Sequence, residues 1–217
     1  MYIMPTRGRS HLIPRFFSVV PPQPETKGLI TIDEDDTDSY HGMQFPTAWD
    51  VHVSPRTYIT KKVNEVFAMY PNEPFYGFIM DDTVPLTARW DVLLAEKAGP
   101  WGVAWSDDCL PGKRPSAFAM GGELVRALGW IFCPETKHFY TDSVWEKIAE
   151  DLGCAGRCEE IKVAHLHFSN GSAPFDKTYA ERPDNATDAA GFEKWLLEWP
   201  EIKARLKSLN PLIQETV

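Results

Sequence analysis

Two adjacent carboxylates, Asp81 and Asp82, follow directly on the apolar run FYGFIM (Phe75 to Met80). At the exit of a buried strand such a pair repels itself, and burying either member alone is costly. A divalent cation resolves both problems. Hard carboxylate oxygens favour Mg2+ or Mn2+, ions that also bridge phosphate oxygens. The plain alternative is an acidic turn, for which DDTVP is good chemistry. A second candidate is the pair His165 and His167 in IKVAHLHF. Residues i and i+2 of a strand share a face, so both rings can reach one site. One could ligate a metal while the other donates to a phosphate or an orienting carboxylate. Structural histidines are the alternative, and so is a Cys2His2 zinc set of Cys154, Cys158, His165 and His167, although those spacings are unusual for one.

Asp142, in HFYTDSVW, stands at or next to a helix start. There it can cap the helix or complement its dipole, or act as a general base that takes the proton from an attacking hydroxyl. The two readings are compatible if Ser143 is the cap. The segment PTRGR after the first apolar run carries Arg7 and Arg9, and such a loop can hold the base and phosphates of a nucleotide. Lys61, Lys62 and Asn64 open a helical segment whose N-terminus would attract phosphate; at least one of the lysines is read as a solvated surface residue.

The elements that must position these groups alternate over the first half of the chain. Tyr2 to Met4 is a short apolar run, and GLITID (Gly28 to Asp33) is a β-branched strand ending in the acidic run Asp33 to Asp36. A helix is expected over Ser10 to Val20, weakened by Pro14, and a short strand near Ala48 to Val53. Val63, Val66, Phe67 and Tyr70 mark one face of a helix over Tyr58 to Tyr70. FYGFIM reads as a buried central strand, Thr87 to Lys97 as a helix, and Trp101 to Trp105 as a strand ending near Asp107 and Asp108. Gly121 to Gly129 (GGELVRALG) is expected as a short helix after a glycine pair. Ser143 to Leu152 is expected as a helix whose Ser143 and Glu146 have capping-box form. Ile161 to Phe168 reads as a strand, Pro183 to Gly191 as a linker, and Phe192 to Leu209 as an amphipathic helix. Strands that end in polar residues and alternate with helices predict an α/β sheet that binds its ligand at the carboxyl ends of the strands. Trp90, Trp101 and Trp105 are read mainly as core.

The chain of 217 residues, 43% hydrophobic and 24% charged, is long enough to bury one sizeable core. No apolar run approaches the ~20 residues of a membrane span, and the N-terminal segment has no continuous apolar stretch of the secretory kind. Four scattered cysteines, Cys109, Cys133, Cys154 and Cys158, read as reduced thiols of a cytoplasmic protein. A net charge of −9 argues against broad binding to nucleic acid. It also means that an anionic ligand must be received by a cation or by clustered Arg and Lys residues.

The ordered set MPTRGR, YGFIMDDTVPLTARWD, WGVAWSDD, GGELVRALGW, KHFYTDSVWEKIAEDLG and VAHLHF resembles a group of short GT-A glycosyltransferases related to glycosyltransferase family 2, frequent in bacterial and bacteriophage genomes. The likeness runs over residues 1–180 and rests on the joint order of the motifs. It implies an α/β fold with a Rossmann-like mixed central sheet flanked by helices, a catalytic domain over residues 1–182, and a linker and C-terminal helix over 183–217 packed on the same domain. It implies that Pro5, Thr6 and Arg7 seat the nucleoside, that Asp33 contacts the base, and that Asn64 faces the nucleotide. Asp81 and Asp82 stand at the metal-binding DxD motif, Asp142 at the base of inverting members, and His167, with His165 as second choice, at a late histidine that meets the metal or diphosphate. Thr83 replaces the usual final acid, so one direct carboxylate, Asp82, is expected on the metal.

Together these readings predict a nucleotide-sugar-dependent glycosyltransferase using Mn2+ or Mg2+, with Gly121, Gly122 and Glu123 near the donor sugar because glycine removes the Cβ obstacle. The expected acceptor is a glycan or other cellular hydroxyl. A hydroxymethylated base in DNA is the alternative, reached past Lys113, Arg114 and Arg126. A nucleotidyltransferase and a zinc-stabilised binding module are the rival classes.

Overall fold

The computed structural model describes residues 1–110 and 115–210. Its frame is an eight-stranded sheet. The N-terminal half supplies β1 (Tyr2–Thr6), β2 (Gly28–Asp33), β3 (Trp49–Ser54) and β4 (Phe75–Ile79). β1 pairs in parallel with β2 and β4, and β2 in parallel with β3. All four therefore present their carboxyl ends at one edge. β5 (Thr83–Pro85), β6 (Val103–Asp107), β7 (Ala117–Gly121) and β8 (Ala155–His165) complete the order β3-β2-β1-β4-β7-β6-β8-β5. β7 is antiparallel to both β4 and β6, whereas β6 and β8 are parallel.

β2 is buried at every position, consistent with the apolar and β-branched residues from Gly28 to Ile32. Its alternate residues feed different sides of the sheet. On one side Ile3, Leu29, Tyr76 and Phe78 pack with α2 (Ile59–Met69), α4 (Gly122–Leu128), α5 (Thr141–Leu152) and α7 (Asn185–Leu209). On the other, Tyr2, Met4, Ile30 and Ile79 pack with α1 (Ile13–Val19) and α3 (Trp90–Ala98). Trp90 is fully buried there.

Several element bounds differ from those expected. Pro14 lies in the first turn of α1 and is tolerated there, because the amide it lacks would be unbonded anyway; a 3-10 turn at Ser10–Leu12 precedes it. α5 begins at Thr141 behind Tyr140, whose φ is 65°, so Ser143 lies inside the helix and does not cap it. Tyr70, expected on the buried face of α2, lies just past its end and is exposed. β8 starts six residues before the expected strand and ends at His165, which leaves His167 outside it. The expected linker at 183–191 is helical instead: Asp184 caps α7 through the Thr187 amide, and α7 runs on without interruption into the expected C-terminal helix. No described helix is long and apolar enough to cross a membrane.

Candidate active site at the strand carboxyl ends

The carboxyl ends of β1, β2 and β4 open into a cleft of about 1050 Å3. Its floor is the Asp81–Asp82 pair, both members of which are buried. The Thr6 hydroxyl donates to Asp81 Oδ2 at 2.8 Å and lies 2.7 Å from the Tyr40 hydroxyl. Arg9 Nη1 spans the pair, 3.1 Å from Asp81 Oδ1 and 2.8 Å from Asp82 Oδ2. Its other face is held by Asp176, with Nε donating at 2.7 Å and Nη2 at 3.2 Å. The Tyr179 hydroxyl donates to Asp82 Oδ2 at 2.7 Å, and its ring lies under the Arg9 guanidinium at 4.2 Å. Burial and the neighbouring Asp82 charge push the Asp81 carboxyl up to about 7. Burial also opposes ionisation of Asp82, but His165, Arg9 and Tyr179 outweigh it and hold that carboxyl below its ordinary value. The pair thus keeps one firmly ionised member, as like charges at contact distance require.

β5 delivers the histidine. Thr83 pairs with His165 across the β5–β8 ladder, and the Leu166 amide donates to the Asp82 carbonyl at 2.8 Å. His165 Nε2 consequently lies 3.3 Å from Asp82 Oδ1. That contact is ionic in distance but lacks hydrogen-bond alignment, and Oδ1 remains a buried oxygen with no hydrogen-bond donor. His167 heads a 3-10 turn (Phe168–Asn170), and its Nδ1 bonds the Ser169 hydroxyl at 2.7 Å. The two rings are 5.2 Å apart. The order of proximity to Asp82 is therefore the reverse of that expected, because the strand stops at His165. A divalent ion fits this pair. A carboxylate oxygen with no hydrogen-bond donor beside an imidazole nitrogen is a partial shell of one hard and one borderline donor, and Mg2+-type sites take one or two carboxylates and draw remaining oxygens from substrate and water. Among the described residues no group of three His, Cys, Asp or Glu side chains converges, so an ion here would draw no more than these two from the protein. That also counts against the zinc set: Cys154 packs against the core on one side of the sheet, and Cys158 belongs to the core on the other.

Beside this floor, Asp33 at the end of β2 sits between two cations. Arg7 Nη1 is 3.0 Å from its Oδ2, and Lys62 Nζ is 2.6 Å from its Oδ1 and 3.0 Å from the Ser54 hydroxyl. Lys61 is exposed, as one of the two lysines was expected to be; Lys62 is buried in the cleft wall. Pro5 lines the same wall. Asn64 does not face the cleft. It is a strut, accepting from the Ile131 and Phe132 amides at 2.9 and 3.0 Å and donating to the Phe132 carbonyl at 2.8 Å. Gly121, Gly122 and Glu123 are also displaced from the expected position. β7 is antiparallel to β4 and pairs Gly121 with Phe75, so the glycine pair lies at the end of the sheet opposite Asp82. The glycines are required for packing: a Cβ on Gly121 would meet the Pro100 carbonyl, and one on Gly122 the Glu73 oxygen, each at 2.2 Å. Glu123 faces out and pairs with Arg126 at 3.0 Å. Arg126 also donates to the Glu73 carbonyl at that same distant end, while Lys113 and Arg114 lie outside the described residues.

The far wall carries Asp142 in the first turn of α5, where its Oδ1 accepts from the Ser143 amide at 2.9 Å. The loop leading to it is fixed by a residue the sequence reading passed over. Asp188, fully buried in α7, accepts from the Lys137, His138 and Phe139 amides at 2.8, 2.8 and 2.7 Å. Next to it, burial and the Arg182 charge push the His138 imidazole down to about 4. Arg182, Tyr179, Asp176 and Asp188 carried no sequence signal. Each is an ordinary polar residue in a stretch read as featureless, and only the return of the chain over the cleft brings them in.

No family profile and no curated protein matches the sequence. Solved structures do. A mannosyltransferase from Pyrobaculum calidifontis, PcManGT, solved with GDP-Man and Mn2+, is 13% identical with a TM-score of 0.54 over 76% of this chain and 55% of its own. GalNAc-T7, solved with UDP, GalNAc and Mn2+, is 11% identical with a TM-score of 0.57 over 76% of this chain and 43% of its own. S. aureus TarS, residues 1–349, is 11% identical with a TM-score of 0.54 over 75% of this chain and 59% of its own. The chain spans about half the length of the structures it matches. At such identity the likeness speaks to the fold alone, and that fold is GT-A: a mixed, curled central sheet flanked by helices.

Proposed function

We propose that the protein is a glycosyltransferase, moving a sugar from a nucleotide-sugar donor to an acceptor hydroxyl with a Mg2+ or Mn2+ ion held by Asp82 and His165. The observation that carries the reading is that one cleft is lined by the buried Asp81–Asp82 pair, its histidine, Asp142 and several Arg and Lys side chains. The nucleotide-sugars and Mn2+ bound by the structural neighbours support it. Arg7, Asp33 and Lys62 form a polar end suited to the nucleoside. The ion would neutralise charge on the departing diphosphate. Asp142 takes the proton of the acceptor hydroxyl as that oxygen attacks the anomeric carbon, and a single displacement of this kind inverts the configuration. Thr6 and Arg9 keep the carboxylate floor fixed so that charge stabilisation needs no rearrangement. The acceptor is read as a glycan or another cellular hydroxyl.

The test is titration of UDP- and GDP-sugars with and without Mn2+, followed by product analysis with the donor that binds. Free nucleoside diphosphate is expected. Release of pyrophosphate from a nucleoside triphosphate would make the protein a nucleotidyltransferase instead. In the same assay Asp142→Asn is expected to fold normally, keep donor affinity within a few-fold, and lose at least about a hundredfold in turnover. Turnover within a few-fold of the parent would remove Asp142 as the base.

A further inference from the structure

We infer that Arg182 is the residue that receives the diphosphate of the donor, an inference that rests on the glycosyltransferase reading. The cations of the cleft are mostly spent on its own carboxylates. Arg9 holds Asp81, Asp82 and Asp176. Arg7 and Lys62 hold Asp33, and Arg56 holds Glu181 at 2.9 Å. Arg182 also lines the cleft, but no carboxylate of the described residues lies within ion-pair distance of it.

Its position is nevertheless fixed. Nε donates to the Tyr179 carbonyl at 3.1 Å. The guanidinium sits 5.1 Å from the Tyr179 ring, 5.4 Å from Phe139 and 5.6 Å from Phe168. Those neighbours belong to both walls: Tyr179 bonds Asp82, and Phe139 belongs to the loop that leads to Asp142. The charge thus adjoins both the tyrosine that bonds the carboxylate floor and the loop that carries the candidate base, within the cleft that a leaving diphosphate would occupy. Among the described residues no hydrogen-bond acceptor is bonded to the two terminal nitrogens of Arg182. A guanidinium fork immobilised by rings and lacking a counter-ion is matched by paired phosphate oxygens, and pre-ordering reduces the cost of binding them.

The experiment compares parent, Arg182→Ala and Arg182→Lys by calorimetric titration with UDP, GDP, uridine and guanosine at fixed Mn2+, with thermal melting as a control of folding. For whichever diphosphate the parent binds, Arg182→Ala should lose about ten- to a hundredfold in affinity. Arg182→Lys should recover part of that loss, because it restores the charge without the fork. Affinity for the corresponding nucleoside and the melting temperature should change little. Diphosphate affinity equal to the parent's in Arg182→Ala overturns the inference and leaves the functional reading standing, as does a loss confined to acceptor KM. Equal losses for nucleoside and diphosphate, or a large fall in melting temperature, would make Arg182 structural and overturn it too. A parent that binds neither diphosphate overturns the functional reading itself.

Discussion

Asp82 Oδ2 accepts from both Arg9 and Tyr179, whereas Oδ1 has only the His165 ring nitrogen, 3.3 Å away and not aligned for a hydrogen bond. That oxygen is the reason to expect a cation. Asp82→Asn should abolish the Mn2+-dependent part of donor affinity, read as the difference between titrations with and without Mn2+, while the protein still folds. An unchanged difference would take Asp82 out of the metal site. His138 permits a second prediction. Its pKa falls from 6.5 to about 4 on folding, so the unfolded chain binds more protons between those values. Its contribution to stability is therefore complete above 6.5 and lost as pH falls toward 4. Asp81, raised from 3.8 to about 7, contributes the opposite slope over an overlapping range, so only a difference isolates His138. Unfolding free energies of parent and His138→Gln at pH 7 and pH 4.5 should diverge by roughly 2–3 kcal/mol in pH dependence, the parent losing more on acidification. Parallel pH curves would show that His138 is not desolvated as described. The chemistry-bearing types at this scale were legible, since Asp81, Asp82, Asp33, His165 and Asp142 do share one cleft. Arg9's bond to both carboxylates was not, because nothing in PTRGR distinguishes a buried arginine from two surface ones.

At the scale of elements, what could be read depended on length and direction. GLITID and FYGFIM announce buried strands because every residue before the closing Asp33 of the first, and every residue of the second, is apolar or β-branched, and both form strands where expected. β5 is three residues long, too short for any period, yet it is the element that brings His165 to Asp82. Direction was the larger omission. A glycine pair after an apolar strand reads the same whether that strand runs with β4 or against it, and β7 runs against it. GGEL therefore lies at the far end of the sheet, though the helix it begins is where expected. Helix starts at Arg89 and Tyr140, both in the left-handed region, have no composition signal either. The three amides of Lys137 to Phe139 share one acceptor, the Asp188 carboxylate. Asp188→Ala leaves three amides without their acceptor and should destabilise the protein by at least about 2 kcal/mol. It should also raise hydrogen exchange at those amides and lower turnover more than donor affinity. Asparagine, with a single acceptor oxygen, should fall between. Unchanged exchange at all three amides would show that Asp188 does not fix the loop.

At the scale of the molecule, the question is whether α7 is a tail laid on a finished domain or part of the domain. Its aromatic residues answer in packing terms. Trp195, Trp199 and Leu206 are almost fully buried and belong to the same core cluster as Ile3, Phe78, Phe118 and Trp145 from the sheet and α5. Trp199 Nε1 donates to Asp151 Oδ2 at 2.7 Å, tying α7 to α5, and Gly191 packs against the Glu135 carbonyl so closely that a Cβ would overlap it. The same helix carries Asp188, so the core, the loop to Asp142 and α7 are mechanically one body. If that is so, a core lesion in α7 must lower the stability of the whole. Trp195→Ala removes a buried indole and should cost about 3–5 kcal/mol. Urea unfolding followed at once by far-ultraviolet circular dichroism and by tryptophan fluorescence should give one shared transition at a lower midpoint, with the slope of the parent. A tail that docks on an independent domain predicts something else: two transitions, the first small and confined to helix signal, with the main midpoint unmoved. Non-coincident curves of that kind would separate residues 185–210 from the fold and leave the geometry of the Asp142 wall to be explained without them.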